Sequence, residues 1–576
     1  RRVRLADTDG SGIADIVYLG TDGLHIYLNE AGNAWSDARV LAQFPVVDDH
    51  ATVSTVDLLG RGTACVVWSS ALPGDARSPV RYLDLMAGRK PHLLVAARNN
   101  LGAETVVEYA SSTTFYLADK AAGHPWITRL PFPVHVVARV ESLDRIARNR
   151  FVTRYSYHHG HYDATEREFR GFGRVERLDT EEFGVLGAAA NVDMASHVPP
   201  ALTKTWYHTG VYQAGQEVSR HLAQEYHTEP GLTGEQVRAR LLDDTVLPAG
   251  LTAEEARQAC RALKGSLLRE EVYAHDGGVA ADRPYRATER NYTIRRLQPA
   301  AANRFAVFLP HPREVVEYAY ERQLYPVDSG QRADPRISHA LTLAVDEYGS
   351  VLRSATVGYG RRFDDPDPRL ATVDRQEQKR IRVRFALGTV TDVVDLPDAW
   401  RTPMPAESRA FELHNAAPAA GEPGRFFFTE LDALIAQAGD GAHDLPYDDV
   451  TGAGASGGDA FRRPVAAQRV RYRRNDLTGE LPPTQLESLA LPSSSYRLAF
   501  TADLASAVYG AKLTPAQLDA ALSAAGYVHA DGDGGWWVPA QRVFYTPDAT
   551  ASAGQELAEA AGHFWLARRY VDPYGN

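Results

Sequence analysis

Cysteine and long apolar runs are both scarce in this chain of 576 residues. Its two cysteines, Cys65 and Cys260, cannot form a disulfide framework or a four-cysteine zinc site. Free cysteines are usually buried, so we expect both to be buried thiols. No apolar run approaches the roughly 18 residues that a membrane-spanning helix needs. The sequence therefore excludes a disulfide-stabilised domain and predicts no direct membrane span.

Basic residues are outnumbered by acidic ones, and lysine in particular is rare. The formal net charge is −11, the pI is about 6.0, and only six residues are lysines. Nucleic-acid-binding proteins usually carry a basic domain or stripe, so no nucleic-acid partner is expected. The hydrophobic share of 44% and the charged share of 23% are typical of globular proteins. A chain of this length corresponds to about three to four domains.

Both ends of the sequence indicate a fragment of a longer protein. The chain begins at Arg1 with neither a methionine nor the apolar region of a signal peptide. It stops at the turn motif Asp572–Asn576, where the strand that should follow is missing. Any domain beyond these ends is invisible in the sequence.

A repeat occupies the start of the chain. Asp7–Tyr18 aligns with Asp57–Trp68, 50 positions later, and each copy is a glycine-rich loop that leads into a β-branched and aromatic strand. A second strand, Leu24–Leu28, follows the first copy after a turn at Asp22-Gly23. Repeats of about 40 to 50 residues with several strands each predict blades of a β-propeller.

The first copy of the loop has the spacing of a calcium site. Calcium needs several hard oxygen ligands that converge on one point, and alternate side chains of a tight loop supply them. The predicted ligands are the side chains of Asp7, Asp9, Ser11 and Asp15 and the main-chain carbonyl of Ile13, with Gly12 at the sharp turn. The alternative is an Asx-type turn without an ion, because Asp and Gly favour turns in any case.

The second copy of the loop is predicted not to bind calcium. It keeps Asp57, but Leu59, Arg61 and Cys65 occupy the other side-chain ligand positions. Loss of the ligands in one copy indicates that any bound Ca²⁺ is structural and not catalytic.

The pattern of most of the remaining chain predicts strands joined by short turns. Examples are Thr105–Ala110, Val134–Val140 and Phe151–Tyr157, whereas 181–200 is predicted to be a loop. Two helices are expected, one after the capping box that starts at Thr252 and one with Thr514 as its N-cap and Pro515 at the first position. A glycine-rich loop, Gly452–Gly458, interrupts the later strands.

Tyrosine-glycine motifs mark two strand exits. They are Asp346–Ser350 and Asp572–Asn576, and in each the glycine supplies the conformation of the turn. Repeated units of this kind cannot bury a face alone, but they form a continuous sheet when they stack.

Neither of two possible chemical sites is favoured. His158, His159 and His161 lie near Asp163 and Glu166, but adjacent residues of a strand point to opposite faces, so packing and hydrogen bonding are the preferred interpretation over a metal site. Gly454–Gly458 has the letters of a nucleophile elbow without the strand and helix that this motif requires. The sequence therefore predicts no catalytic residues and no enzyme activity.

Longer motifs resemble the B component of the tripartite, ABC-type insecticidal toxin complexes of bacteria. They are Asn99–Thr105, Tyr109–Thr113, Pro125–Val134, Tyr157–Asp163, Arg167–Gly173, Arg261–Gly265, Glu271–Ala274 and Asp334–Ile337. Their order and spread through nearly the whole chain make the resemblance specific.

The resemblance implies a mainly β fold, in which a partial β-propeller precedes an RHS-repeat β-sheet shell with a few short helices. The implied segments are 1–85, a propeller remnant with FG-GAP/VCBS-like calcium loops; 86–200 and 201–345, the two middle regions of the toxin; and 346–576, the start of the RHS/YD-repeat shell. In this family the B and C components form a hollow shell around a cytotoxic polypeptide, and the propeller docks on the pore-forming A component as a gate.

The expected function is therefore that of a non-catalytic structural part of a secreted toxin complex, held in the bacterial cytoplasm before release. Its expected partners are the cargo-bearing C component and the A component, and its expected metal is structural Ca²⁺. Two alternatives remain open. One is an RHS-type secreted adhesion or polymorphic-toxin scaffold, and the other is the N-terminal half of an ADP-ribosyltransferase virulence protein.

Overall fold

Strands dominate the computed structural model, which describes residues 2–147, 149–181, 199–213, 217–327, 330–572 and 575. The strands are β1 Val3–Ala6, β2 Asp15–Leu19, β3 Leu24–Tyr27, β4 Arg39–Leu41, β5 Ala51–Val56, β6 Cys65–Ser70, β7 Val80–Asp84, β8 Ala96–Arg98, β9 Ala103–Ser111, β10 His135–Asp144, β11 Asn149–Asp163, β12 Glu168–Glu181, β13 Ala201–Tyr207, β14 Leu267–Ala274, β15 Arg286–Gln298, β16 Val307–Ala319, β17 Leu324–Val327, β18 Gly330–Ala333, β19 Arg336–Val345, β20 Val351–Tyr359, β21 Arg382–Val390, β22 Val394–Leu396, β23 Ala399–Arg401, β24 Pro405–His414, β25 Phe461–Arg473, β26 Leu491–Phe500, β27 Trp536–Phe544 and β28 Arg569–Val571.

Helices are short and scattered among the strands. The described α-helices are α1 Ser112–Ala121, α2 Gly234–Arg240, α3 Ala253–Ala262, α4 Thr372–Gln378, α5 Phe428–Gln437, α6 Ala502–Tyr509, α7 Pro515–Ala524 and α8 Ala553–Gly562. Strands account for 40% and helices for 15% of the structure, which confirms the prediction of a mainly β fold with few helices. None of the described helices is long and apolar enough to cross a membrane.

Contacts divide the chain into two compact units. The first comprises Arg1–Tyr226 and Leu251–Tyr285, and the second comprises His227–Gly250 and Arg286–Asn576. These units are defined by contacts and not by repeat boundaries, so the four segments expected from the sequence stay a prediction.

Two small sheets open the first unit. The first has the order β1-β2-β3-β4 and the second β5-β6-β7, and all their pairings are antiparallel. Strand β2 begins at Asp15 and β6 at Cys65, so the repeat seen in the sequence is also a repeat of structure. Apolar residues of both sheets, among them Val17, Leu24 and Trp68, form one cluster that holds the sheets together.

A larger antiparallel sheet follows in the first unit. Strands β8 to β14 pair in chain order, each with the next, as hairpins do. The three strand segments predicted between residues 105 and 157 lie in β9, β10 and β11, and most of the loop predicted for 181–200 lies outside the described residues. Helix α1 contradicts the prediction of strands alone in this region. It forms because the Ser111 side chain accepts a hydrogen bond from the Thr113 amide and so caps a helix start.

Helix α3 of the first unit confirms the capping box read from the sequence. The Thr252 hydroxyl accepts from the Glu255 amide at 3.2 Å, and the Glu255 carboxylate accepts from the Thr252 amide at 3.1 Å. Cys260 of this helix and Cys65 of β6 are both buried free thiols, as expected.

The second unit is built on a sheet with the order β15-β16-β19-β20-β21-β24-β25-β26-β27-β28. Two small hairpins, β17-β18 and β22-β23, stand beside it. One face of the sheet is apolar: Leu341, Ala355 and Phe385 pack with Leu431 and Ile435 of α5. This face is covered because alternate residues of each strand point toward the helix.

Two local predictions for the second unit, a turn and a helix start, are confirmed. Asp346 closes the turn between β19 and β20, since its carboxylate accepts from the amides of Tyr348 and Ser350 at 2.9 and 2.8 Å. Gly349 adopts a φ of 91°, the left-handed conformation that the motif requires. Helix α7 begins after Thr514 as predicted. The second tyrosine-glycine motif, Asp572–Asn576, lies largely outside the described residues.

Candidate metal centre

The loop between β1 and β2 is folded around the carboxylate of Asp7. The amides of Gly10 and Gly12 donate to its two oxygens at 2.7 and 2.9 Å. Both glycines have positive φ, 78° and 85°, which L-residues rarely adopt. The backbone bends tightly here because glycine occupies the two positions that need a positive φ.

Asp15 is the buried anchor of the loop, with no exposed surface. Its Oδ2 accepts from the amide and the hydroxyl of Thr8 at 2.8 and 2.6 Å, and its Oδ1 accepts from the amide of Asn29 at 2.8 Å. Three hydrogen bonds satisfy a carboxylate that would otherwise be costly to bury. These hydrogen bonds also fix the Asp15 carboxylate where the loop meets β2.

Carboxylate oxygens of Asp7, Asp9 and Asp15 converge within 4.8 Å of one another. Burial opposes ionisation of Asp9, but hydrogen bonds from Ser11 and the charge of His92 outweigh it and hold the pKa of Asp9 below its ordinary value. Three clustered hard-oxygen donors fit the chemistry of Ca²⁺.

All five predicted ligands stay predictions, and two of them lie outside the carboxylate cluster. Ser11 is exposed, and its hydroxyl accepts from the Ile13 amide at 3.4 Å. Ile13 is half-buried, and its carbonyl is a ligand only by the spacing of the loop. The structure brings together the three carboxylates of the predicted set.

A lysine stands beside the acidic cluster. The Lys90 ammonium lies 3.8 Å from Asp7 Oδ2. The segment that carries Lys90 also covers the loop, since a Cβ on Gly10 would lie 2.7 Å from Pro91 Cδ. Sequence reasoning missed Lys90 because it lies far along the chain from Asp7. An ammonium at this position competes with a bound cation for the same charge.

The second copy of the loop has the same backbone fold but lacks the metal-binding side chains. Asp57 accepts from the amides of Arg61 and Gly62 at 2.9 and 2.7 Å, in the manner of Asp7. In the described part of the chain, a cluster of three metal-binding side chains occurs in the first copy alone. The same backbone can therefore form with or without a ligand set.

Two of the three histidines of β11 form hydrogen bonds with carboxylates, whereas His161 Nδ1 has no partner in the described residues. His158 Nδ1 lies 2.6 Å from Asp119 of α1, while His159 Nε2 lies 2.7 Å from Glu225. The two side chains thus reach different elements, as their adjacent positions on a strand predict. Burial lowers the pKa of His158.

Glu225 collects three donors in the interior of the first unit. Besides His159 it accepts from Arg174 Nη1 and Trp206 Nε1, both at 2.9 Å. Burial acts against its ionisation, but the hydrogen bond from His159 and the charge of Arg174 prevail and lower the pKa of Glu225 to about 2. No local pattern marks this residue, because its partners lie up to 66 positions away.

The glycine-rich segment Gly452–Gly458 is a loop, as predicted. It lies between α5 and β25, so a strand follows it where a nucleophile elbow would have a helix. The geometry therefore offers Ser456 no hydrolase role.

Two family models match the chain in sequence order. The insecticide toxin TcdB middle/N-terminal region matches residues 31–210, and the middle/C-terminal region matches residues 258–401. Together they span more than half of the chain. This chain belongs to the TcdB family of insecticidal toxins.

Solved structures share the fold of this TcdB-family chain. A crystal structure of TcdB2-TccC3 matches with a TM-score of 0.74 and 24% identity, over 99% of this chain and 26% of that one. TcdB2-TccC3 without its hypervariable C-terminal region matches with a TM-score of 0.73 and 25% identity, over 99% and 25% of the two chains. The Tc holotoxin pore of Photorhabdus luminescens matches with a TM-score of 0.72 and 26% identity, over 96% and 24%.

The chain spans about a quarter of the length of these solved chains. No functionally curated protein matches the sequence. Membership of the TcdB family confirms the resemblance that the sequence motifs indicated.

Proposed function

We propose that this chain is a non-catalytic structural part of a secreted bacterial toxin complex, present in the bacterial cytoplasm before release. In this role it forms part of the shell that encloses a cytotoxic polypeptide, together with a C component. Its first residues form part of a propeller gate that docks on a pore-forming A component. The observation that carries the proposal is the match of the fold, over 99% of the chain, to TcdB2 solved together with TccC3.

The sheet of the second unit supports a role as a wall. Its covered face packs on α5, while the opposite face carries exposed residues such as Ala340, Thr356 and Arg384, which pair across β19, β20 and β21. A sheet with one apolar covered face and one polar face can separate an enclosed space from bulk solvent. Hairpin connectivity lets such a sheet widen by adding one strand after another.

The two small sheets support the propeller part of the proposal. Each copy of the repeat supplies a loop and an antiparallel sheet, of four and three strands. We infer that the first loop binds structural Ca²⁺ through Asp7, Asp9 and Asp15, with Ser11 and the Ile13 carbonyl completing the set. A bound Ca²⁺ would offset two of the three negative charges and fix the start of β2.

Electron microscopy tests the proposal directly. The protein that contains this chain is reconstructed alone and after mixing with the product of the neighbouring gene. A hollow β-walled particle that protects the added polypeptide from protease is the expected result. The product of the neighbouring gene, treated alone with the same protease, is the matched control.

Other outcomes separate the alternatives. A particle without a chamber that binds cell surfaces would favour an adhesion scaffold and contradict the shell. Transfer of ADP-ribose by the protein that contains this chain would favour the virulence enzyme.

A further inference from the structure

A basic groove of about 610 Å³ lies in the second unit, outside the candidate metal centre. It lies where β21 begins, where β24 ends and where the glycine-rich loop passes. Its lining includes the basic side chains of Lys379, Arg380 and Arg382 and a single acidic one, Glu412. Basic side chains thus outnumber acidic ones in the lining itself, although Lys379 is paired with Asp364 at 2.8 Å and Arg380 with Glu377 at 3.7 Å.

His414, the last residue of β24, lines this groove with an unsatisfied ring nitrogen. Its side chain is only 8% exposed, and in the described part of the chain Nε2 has no hydrogen-bond partner. Glu412 Oε2 lies 3.8 Å from that nitrogen, but it accepts a hydrogen bond from Arg463 at 2.7 Å instead. A buried polar atom without a partner is costly, so native structures usually supply one.

The glycine-rich loop Gly452–Gly458 lies in close contact with the His414 ring. A Cβ on Gly452 would lie 2.3 Å from His414 Nδ1, and its φ is 71°, so any other residue would strain the loop and force the ring to shift. Asp449 holds the first half of the loop by accepting from its amides at 2.9 and 2.8 Å. Gly457 and Gly458 also line the groove, and within the described residues their amides donate to no protein atom. Both glycines are exposed, so their N–H groups are open to solvent or to a ligand.

Arg382 stands next to His414 across the sheet. The pairing of Val383 with Leu413 in the antiparallel ladder puts Arg382 and His414 side by side at the ends of β21 and β24. Arg382 is 59% exposed and is paired with Glu377 at 3.1 Å. Exposed pairs contribute about 0 to 1 kcal/mol, so Arg382 can leave its partner for a ligand.

We propose that this groove binds an oxyanion of the size and charge of phosphate. Guanidinium groups match the geometry of such oxygens with paired donors. Backbone N–H groups of a glycine-rich turn add neutral donors of the kind found in anion-binding nests. The His414 ring supplies a further polar atom that the chain itself leaves without a partner.

Calorimetric titration with inorganic phosphate tests the proposal on the intact protein that contains this chain, at constant ionic strength set with chloride. Saturable binding of one phosphate is expected. Arg382→Gln should weaken it about tenfold, because a charge-assisted hydrogen bond is lost. Absence of a saturable signal would overturn the proposal.

Arg409→Gln is the matched control. Arg409 is also an exposed arginine of this sheet, 50% exposed and paired with one glutamate, but it lies outside the groove. This variant should bind phosphate with affinity within about twofold of the parent, a difference of less than about 0.5 kcal/mol. Equal losses in both variants would mean that net charge alone attracts the anion, and the site would be rejected.

A second variant, His414→Gln, probes the buried nitrogen. If it folds, weaker phosphate binding is expected, since the amide cannot reproduce the position of the ring nitrogen. Unchanged affinity in both His414→Gln and Arg382→Gln would contradict the assignment of the groove.

Discussion

Glu225→Gln is the substitution that best tests how the interior of the first unit is held. The carboxylate accepts hydrogen bonds from His159, Arg174 and Trp206 at 2.7 to 2.9 Å. His159 Nδ1 accepts from the Ile127 amide, so its Nε2 is the nitrogen that donates to Glu225. An amide keeps the shape of the side chain, but it removes the charge and turns one acceptor into a donor.

Two independent lines of reasoning give a similar magnitude. Breaking a buried charged pair by removing one partner costs about 3 to 5 kcal/mol. The pKa of Glu225, about 2 against an ordinary 4.5, corresponds to about 3 kcal/mol for the ionised form, with the side chain 19% exposed. Because the folded pKa is depressed, this stabilisation is present above pH 4.5 and is lost as the pH falls from 4.5 toward 2.

Hydrogen exchange measured by mass spectrometry on the intact protein reports this local stability. Amides of β12 and β13, where Arg174 pairs with Trp206, should exchange about a hundredfold faster in Glu225→Gln at neutral pH. The difference from the parent should shrink as the pH is lowered below 4.5.

Glu108→Gln is the matched control, because Glu108 is 57% exposed and pairs with Arg139 at 2.8 Å on the same sheet. An exposed pair contributes about 0 to 1 kcal/mol, so exchange should change less than about fivefold. Equal effects of the two substitutions would refute the argument that burial gives the Glu225 cluster its strength.

Three further predictions concern the metal loop and a helix cap. Asp9→Ala should abolish the rise in melting temperature that Ca²⁺ produces relative to chelator, whereas Asp57→Ala should leave that rise intact; equal melting of the parent protein in calcium and in chelator would contradict the ion site. Lys90→Met should raise Ca²⁺ affinity about fivefold by titration, since an ammonium 3.8 Å from Asp7 contributes about 1 kcal/mol of competing attraction, and unchanged affinity would show that it does not compete. Thr252→Ala should lower the free energy of unfolding by about 1 kcal/mol through loss of the capping box, and chemical denaturation showing no loss would count against that role.

Structure that depends on neighbouring residues was predictable from the chain. The capping box at Thr252, the start of α7 after Thr514 and the turn at Asp346–Ser350 each involve side chains and amides within a few positions of one another. Their hydrogen bonds close before any distant contact forms, so the local pattern suffices. Helix α1 was missed because its Thr, Phe and Tyr residues favour strands, whereas the Ser111 cap and the Leu, Ala and Lys residues that follow them favour the helix.

The sequence by itself determined the mainly β class, the repeated loop and the spacing that brings Asp7, Asp9 and Asp15 together. Each of these follows from period, turn chemistry or ligand spacing over a short stretch. Only the tertiary structure decided that Lys90 faces the acidic loop, that Glu225 gathers its three donors and that Arg382 stands beside His414. These contacts join residues from 19 to more than 80 positions apart, and burial then sets their strength, so neither their existence nor their energy can be read from a local pattern.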